Sequence, residues 1–287
     1  MISPSGLLTK TTTSECANHL NSEYCCSDRM INNIKQYIIK IDSTDDPKTI
    51  INIAKKKLKC DSESCILNHN ETKKYIPENL LEYELNTRFK AQGPRNSTNL
   101  LNNINIDETL LIWAREYKHF YPCPFAMIDF NTNGNKFGYI NLADLINGKE
   151  HYIDPVYGVS YGPFTTFGCV LNTDVYTGKG KHWICVFADM RSNHWTIEFF
   201  NSSGNPPVSD IMEWMERQRR NLLPYNKNVD TVVATNITHQ TDNHSCGAYA
   251  LYYIRARLDN VPYSHFANNR IPDEDALKFR EHLFRYH

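Results

Sequence analysis

The chain has 287 residues, 31 Lys and Arg against 32 Asp and Glu, a formal charge of −1, and 41% hydrophobic and 12% aromatic residues. This balance excludes a strongly basic nucleic-acid binder and a disordered acidic chain, and leaves an ordinary globular protein. No apolar run approaches the ~20 residues of a spanning helix, so no membrane insertion is expected. Met1 to Lys10 lacks the charged-then-apolar order of a secretion signal. The nine cysteines, at 16, 25, 26, 60, 65, 123, 169, 185 and 246, are odd in number and irregularly spaced. They fit a reducing compartment better than a disulfide framework, and the chain reads as made and retained inside cells.

Residues 1–95 read as a helical arm. Ile31, Ile34, Tyr37, Ile38 and Ile41 suit one helix face, and Leu80, Leu81, Tyr83 and Leu85 suit another. Cys60, Cys65 and His69 invite a zinc reading, but the set lacks a fourth ligand and the usual closer cysteine spacing. The basic runs Lys55 to Lys59 and Arg217 to Arg220 are read as solvated helix faces, not nucleic-acid contacts. The turn-rich segment Gln92 to Ser97, with Gly93-Pro94, breaks both periodicities and divides the arm from a core at 96–287.

Beyond the turn, Asp107 to Phe120 has helical spacing with Asp107 placed to cap it. His182 to Met190 and Trp195 to Asn201 are apolar strands joined by Arg191 to His194, the pattern of a β-hairpin. Val208 to Leu223 reads as an amphipathic helix with Trp214 and Met215 in its core face, and Thr231 to Asn236 as a short buried strand. The helix from Cys246 to Leu258 follows a loop.

Chemistry concentrates around that loop. A cysteine opening a helix meets unsatisfied N–H groups that favour the thiolate. Folding the hairpin about residues 192 and 193 brings His182 close to Asn201, whose amide oxygen can orient the imidazole. Gln240 lies shortly before Cys246, and its NH2 suits an oxyanion beside the Cys246 backbone N–H. Gly247 allows a substrate backbone to approach closely. Asp189 and Glu198 are rivals of Asn201, but registry puts both nearer the turn. His194, His239 and His244 read as solvated loop histidines, with His244 near enough to Cys246 to affect its ionisation.

His182-Trp183, then Phe200-Asn201-Ser202-x-Gly204, then Gln240-x5-Cys246-Gly247, in this order, resemble the Ulp/SENP and adenovirus-type cysteine proteases. Lys181 to Trp183, Asp189 to Arg191, Tyr252 to Asn260, Cys60 to Cys65 and Thr87 to Ala91 are similar to the asfarvirus polyprotein-processing branch of that group, so the likeness spans nearly the whole chain. The resemblance implies an α+β, papain-like core with a mixed sheet and an N-terminal helical arm. It implies Cys246 as nucleophile, His182 as general base and then acid, Asn201 as the orienting residue and Gln240 in the oxyanion hole. Most cellular members have Asp where this chain has Asn201, which implies a weaker ion-pair state. The implied substrates are viral structural polyproteins cut after Gly-Gly, with Trp183 pressing on the substrate backbone. The implied setting is virion maturation, in the host cytoplasm at assembly sites and in the virion. No metal or organic cofactor is expected. Two alternatives share the scaffold: an isopeptidase or acyl transferase acting on a ubiquitin-like modifier, and a non-catalytic assembly protein.

Overall fold

The computed structural model describes residues 15–17, 20, 22–42, 46–94, 98–234 and 237–285. Met1 to Lys10 and Arg95 to Ser97 lie outside the described residues. The chain divides into two compact units, one of Thr11–Arg95 with His282–His287, the other of Asn96–Glu281. Among the described residues no helix is long and apolar enough to cross a membrane.

The smaller unit is built from short helices: α1 Asp28–Asn33, α2 Pro47–Leu58, α3 Glu63–Asn68, α4 Asn70–Tyr75 and α5 Glu78–Arg88. Polar side chains start four of them, with Ser27, Asp46, Ser62 and His69 accepting from the N–H groups of Met30, Thr49, Cys65 and Glu71. α1 continues as a π-helical turn, Ile34–Ile39, closed by Lys40 N–H on the Lys35 carbonyl at 2.9 Å. Ile31, Ile34 and Ile38 are buried as their spacing predicts, but Tyr37 and Tyr83 are exposed. Ile41 lies past the helix end, where Lys40 takes a left-handed φ of 56°.

Two pairs of cysteines are disulfide-bonded, Cys16 to Cys25 and Cys60 to Cys65. This corrects the expectation that the cysteines stay as thiols: folding brings the Cα atoms within 4.9 and 5.5 Å, which irregular spacing did not disclose. His69 stands apart from Cys60 and Cys65, its Nδ1 accepting from Glu71 N–H at the start of α4. β1, Ala91–Gln92, pairs in parallel with β10, Phe284–Arg285, so the unit takes in a C-terminal strand that the sequence grouped with residues 96–287.

In the larger unit α6, Asn103–Glu116, begins earlier than its apolar spacing suggested. Asn102 and Asn105 form a reciprocal capping box, and Asp107, one turn inside, accepts from Phe125 N–H at 2.8 Å instead of capping. β2 Phe120–Pro122, β3 Ala126–Met127, α7 Lys136–Tyr139, α8 Leu142–Ile146, β4 Tyr152–Ile153 and β5 Ser160–Tyr161 follow. Then come β6 Thr166–Asn172, β7 Trp183–Asp189, β8 Trp195–Phe200, α9 Ser209–Leu222 and β9 Val229–Ala234. The expected strand's last residues, Thr235 and Asn236, lie outside the described residues. α10 Cys246–Leu258, α11 Tyr263–Asn268 and α12 Asp273–Leu283 complete the order.

The main sheet is mixed, in the order β2-β6-β7-β8-β9 with β3 also on β6. β6, β7 and β8 are antiparallel neighbours, whereas β2 and β3 run parallel to β6 and β9 parallel to β8. Both faces are covered, which is why β6 to β8 read as nearly continuous apolar runs. Ile184, Val186 and Ala188 join an aromatic cluster where Trp214 stacks on Phe137 at 4.4 Å. On the other face Phe200 stacks on Tyr253 of α10 at 4.5 Å.

α10 is buried along its entire length, including Arg255 and Arg257. Arg257 grips Glu198 through two hydrogen bonds of 2.8 Å and reaches Asp189 at 3.0 Å. Arg255 pairs with Glu116 at 2.7 and 2.8 Å and with Asp259 at 3.1 Å. These ion pairs hold the helix whose first residue is Cys246. They also account for Asp189 and Glu198, the two rivals of Asn201. Arg219 and Arg220 pair with Glu216 and Gln218 is buried on the Leu142 N–H and the Ile140 carbonyl, while Arg217 and Arg220 are exposed, as expected of a solvated helix face.

Candidate active site

β7 and β8 pair from Cys185 with Phe200 to Asp189 with Thr196, a register centred between residues 192 and 193. His182 immediately precedes β7 and Asn201 immediately follows β8. His182 Nε2 lies 2.8 Å from Asn201 Oδ1. The amide orientation is fixed by its other partners: Asn201 Nδ2 donates to the Asn205 carbonyl at 3.0 Å, while Oδ1 also accepts from Ser203 N–H at 3.0 Å and its hydroxyl at 2.8 Å. With oxygen facing the ring, Nε2 must carry the proton it donates. Nδ1 is then left with a lone pair, ready to accept a proton.

Cys246 is the first residue of α10 and is buried. Burial pushes its thiol above the ordinary value, and the Asp242 charge adds to the rise. The backbone N–H groups of Trp183, Gly247 and Cys246 itself work in the opposite direction without outweighing burial. This corrects the expectation of a thiolate favoured by the helix start. Desolvation outweighs the N–H donors, so the thiol lies above its ordinary range.

The contact with Trp183 N–H places the sulfur beside the residue that follows His182. Gly247 is required by close approach: a Cβ there would sit 3.0 Å from Leu101 Cβ and 3.2 Å from Trp183 Cδ1. The Trp183 indole N–H donates to the Leu101 carbonyl at 2.8 Å, and Phe125 meets the indole edge-on. Leu101, which the sequence did not single out, therefore fixes the Trp183 ring.

Gln240 and His239 both donate their backbone N–H to the Ser202 carbonyl, and Gln240 Oε1 accepts from the Ser202 hydroxyl at 2.8 Å. The turn after Asn201 thus holds the loop before Cys246. Gln240 Nε2 faces Asp242, donating to its carbonyl at 3.1 Å and its Oδ1 at 3.0 Å. Asp242 Oδ1 also accepts from His244 N–H, Ser245 N–H and the Ser245 hydroxyl. Burial opposes its ionisation, yet these hydrogen bonds hold the carboxyl below its usual range. Sequence reasoning missed Asp242 as the organiser of this loop. The available signal was an aspartate three residues before Ser245, the spacing of a side chain that closes a turn onto backbone N–H groups.

Two histidines correct the solvated-loop reading, and His194 fits it. His239 is fully buried, with Nδ1 accepting from Ile271 N–H at 3.1 Å, and burial lowers its pKa to about 4. His244 is half-buried with Nε2 3.5 Å from Asp242. His194 is exposed and pairs with Asp230 at 2.8 Å.

A cleft of about 340 Å³ opens beside Cys246, walled by Leu100, Leu101, Phe125 and Trp183 on one part and by residues 176 and 178–181 on another. A buried thiol at the mouth of a cleft, an imidazole oriented by an amide and a nearby primary amide form an arrangement suited to acyl transfer through a thioester.

Residues 171–286, which contain His182, Asn201, Gln240 and Cys246, match the Ulp1 protease family, C-terminal catalytic domain. Over 276 residues, 95% of this chain and 95% of the relative, the sequence is 47% identical to a SUMO-1 cysteine protease of African swine fever virus. The chain belongs to the Ulp1 protease family and is a cysteine protease. Its fold is likewise similar to the crystal structure of an African swine fever virus protease, with a TM-score of 0.83 and 44% identity over 96% of this chain and 97% of that one.

Proposed function

We propose that this protease cleaves viral structural polyproteins after Gly-Gly during virion maturation, using Cys246, His182, Asn201 and Gln240. The observation that carries the reading is the 2.8 Å contact from His182 Nε2 to an Asn201 oxygen that cannot turn away. In this mechanism a substrate enters the cleft and Cys246 Sγ attacks the scissile carbonyl carbon as its proton passes to His182 Nδ1. Because burial opposes the thiolate, proton transfer accompanies attack in this mechanism. The oxyanion takes hydrogen bonds from Cys246 N–H and from the Gln240 NH2, which turns from Asp242 to reach it. The imidazolium then gives its proton to the departing amine. His182 next activates water against the thioester, releasing the carboxylate and restoring the thiol. Asn201 orients the ring but, being neutral, offsets none of the imidazolium charge. Trp183 presses on the flat backbone of the diglycine. Action at host cytoplasmic assembly sites and in the virion belongs to the same proposal.

The name of the 47% identical relative also motivates a second reading, isopeptide cleavage of a SUMO-like modifier. One experiment separates the two. Purified protein is incubated with virion polyproteins and with a ubiquitin-like precursor, and new termini are located by mass spectrometry. Termini after Gly-Gly in polyprotein alone support the first reading; processing of the precursor alone overturns it. Cys246→Ser should abolish turnover in either case, and retained cleavage would remove Cys246 from the mechanism.

A further inference from the structure

The connection between β6 and β7 runs from Thr173 to His182 and supplies one wall of the cleft beside Cys246. Three side chains hold it rigid. Asn172 Oδ1 accepts from the N–H groups of Asp174 at 3.0 Å and Lys181 at 2.9 Å. Asp174 accepts from Val175 N–H at 3.0 Å and Gly180 N–H at 3.1 Å. Asp129 accepts from Tyr176 N–H at 3.0 and 3.2 Å. Gly178 packs so closely over Asp174 that a Cβ would fall 2.2 Å from its carboxylate. Five backbone donors are therefore satisfied from within, and the loop is ordered before any substrate arrives.

This internal bonding sorts the charges. Both acidic groups, Asp129 and Asp174, are turned onto the loop's own backbone. Lys181 Nζ lies 3.0 Å from Asp174, so that pair is close to neutral. Lys179 is exposed on the cleft wall and makes no hydrogen bond or ion pair with a described residue. The charged residues lining the cleft are Lys179 and Lys181, with no carboxylate among them. A cleft walled by one sign of charge favours a ligand of the other.

We propose that Lys179 is a specificity-determining residue that selects an acidic side chain in the substrate, at one of the two positions before the diglycine. The inference rests on the reading of this cleft as the substrate channel. Trp183 and Lys179 line the same cleft, and the proposal takes the segment that passes Trp183 as diglycine to run toward Lys179 on its N-terminal side. Successive residues of an extended chain advance ~3.3 Å and alternate in direction. One of two adjacent side chains therefore faces the lysine.

The test uses the full-length enzyme and peptides carrying Glu, Gln or Lys at the residue before Gly-Gly, with a second series varied one residue earlier. In one series kcat/KM should fall in the order Glu, Gln, Lys, spanning roughly 2- to 10-fold, the scale of an exposed charge pair. Lys179→Glu should reverse that order, and ~0.5 M salt should flatten it in the wild type, because exposed charges are screened. A flat response of the wild type in both series, or an order unchanged in Lys179→Glu, overturns the subsite alone. Failure of the wild type to cut any Gly-Gly peptide overturns the channel reading and the subsite with it.

Discussion

In the unit containing Thr11–Arg95, helices of 6 to 12 residues are tied by two disulfides and by buried carboxylates, with Glu63 accepting from the N–H groups of Cys25 and Cys26. In the unit of Asn96–Glu281, a six-stranded sheet is packed on both faces, and a central helix is anchored by arginine–carboxylate pairs. Helices this short are marginal alone, so they depend on packing against one another and on the cross-links beside them. The larger unit has core enough, so its buried charges serve position. They hold α10, and hence Cys246, against β7 and β8. The small unit should therefore be sensitive to reductant, and the large one to loss of a charge partner.

The largest effect should come from breaking the Arg257 network. Arg257→Met leaves the buried Glu198 without its charge partner, while Asp189 keeps Arg191, and removing one member of a buried ion pair costs about 3–5 kcal/mol. Urea unfolding should show that loss, whereas removing the exposed pair of Lys278 with Glu274 should leave the midpoint almost unchanged. Equal costs would contradict the positional role.

At the site itself, Gln240→Ala should lower kcat about 10²- to 10³-fold, the usual loss of one oxyanion donor, while Cys246 remains open to thiol labelling. Loss of labelling along with activity would make Gln240 a support of the Asp242 loop instead.

His239 sharpens the contrast through pH. Its folded pKa is about 4 against an ordinary 6.5, because burial disfavours the charged ring. Below pH 6.5 the unfolded chain takes up a proton that the folded chain refuses. Stability should therefore fall as pH drops from about 6.5 toward 4, by ~3 kcal/mol in all. His239→Gln should remove that component, and an unchanged wild-type-minus-variant difference between pH 7 and 4.5 would refute it.

The smallest effect per interaction should follow reduction of either disulfide. Closing loops of 9 and 5 residues stabilises by about 2–3 kcal/mol each on the chain-entropy account. The smaller unit should melt earlier in dithiothreitol. If it engages large substrates, cleavage of intact polyprotein should drop far more than cleavage of a short Gly-Gly peptide. Equal loss on both would assign that unit to completing the site. A deletion at Asn96 is a poorer test, because it strips β10 of its partner β1.

The hairpin was readable because β7 and β8 are consecutive, their turn is polar, and a period of two fixes every pairing once the turn is placed. His182 and Asn201 meet through that local rule, and α10 was readable from its unbroken apolar run. Residues 103–106 were not readable as helix, since Asn102 to Asn105 carries loop-forming side chains until the capping box closes. The disulfides were hidden as well: Cys60 and Cys65 span the turn from α2 into α3, and Cys16 and Cys25 lie in segments before α1 that spacing alone does not bring together.

The sequence by itself determined the mixed α and β character, the His182 and Asn201 pairing, and the family to which the chain belongs, because each rests on short-range periodicity or on residue order. Only the tertiary structure decided the ionisation of Cys246, the capture of Gln240 by Asp242, the burial of His239, and the separation of Lys179 from the acidic groups around it. Each of these depends on which atoms lose water and which gain a partner when distant segments pack. Spacing along a chain carries no record of desolvation.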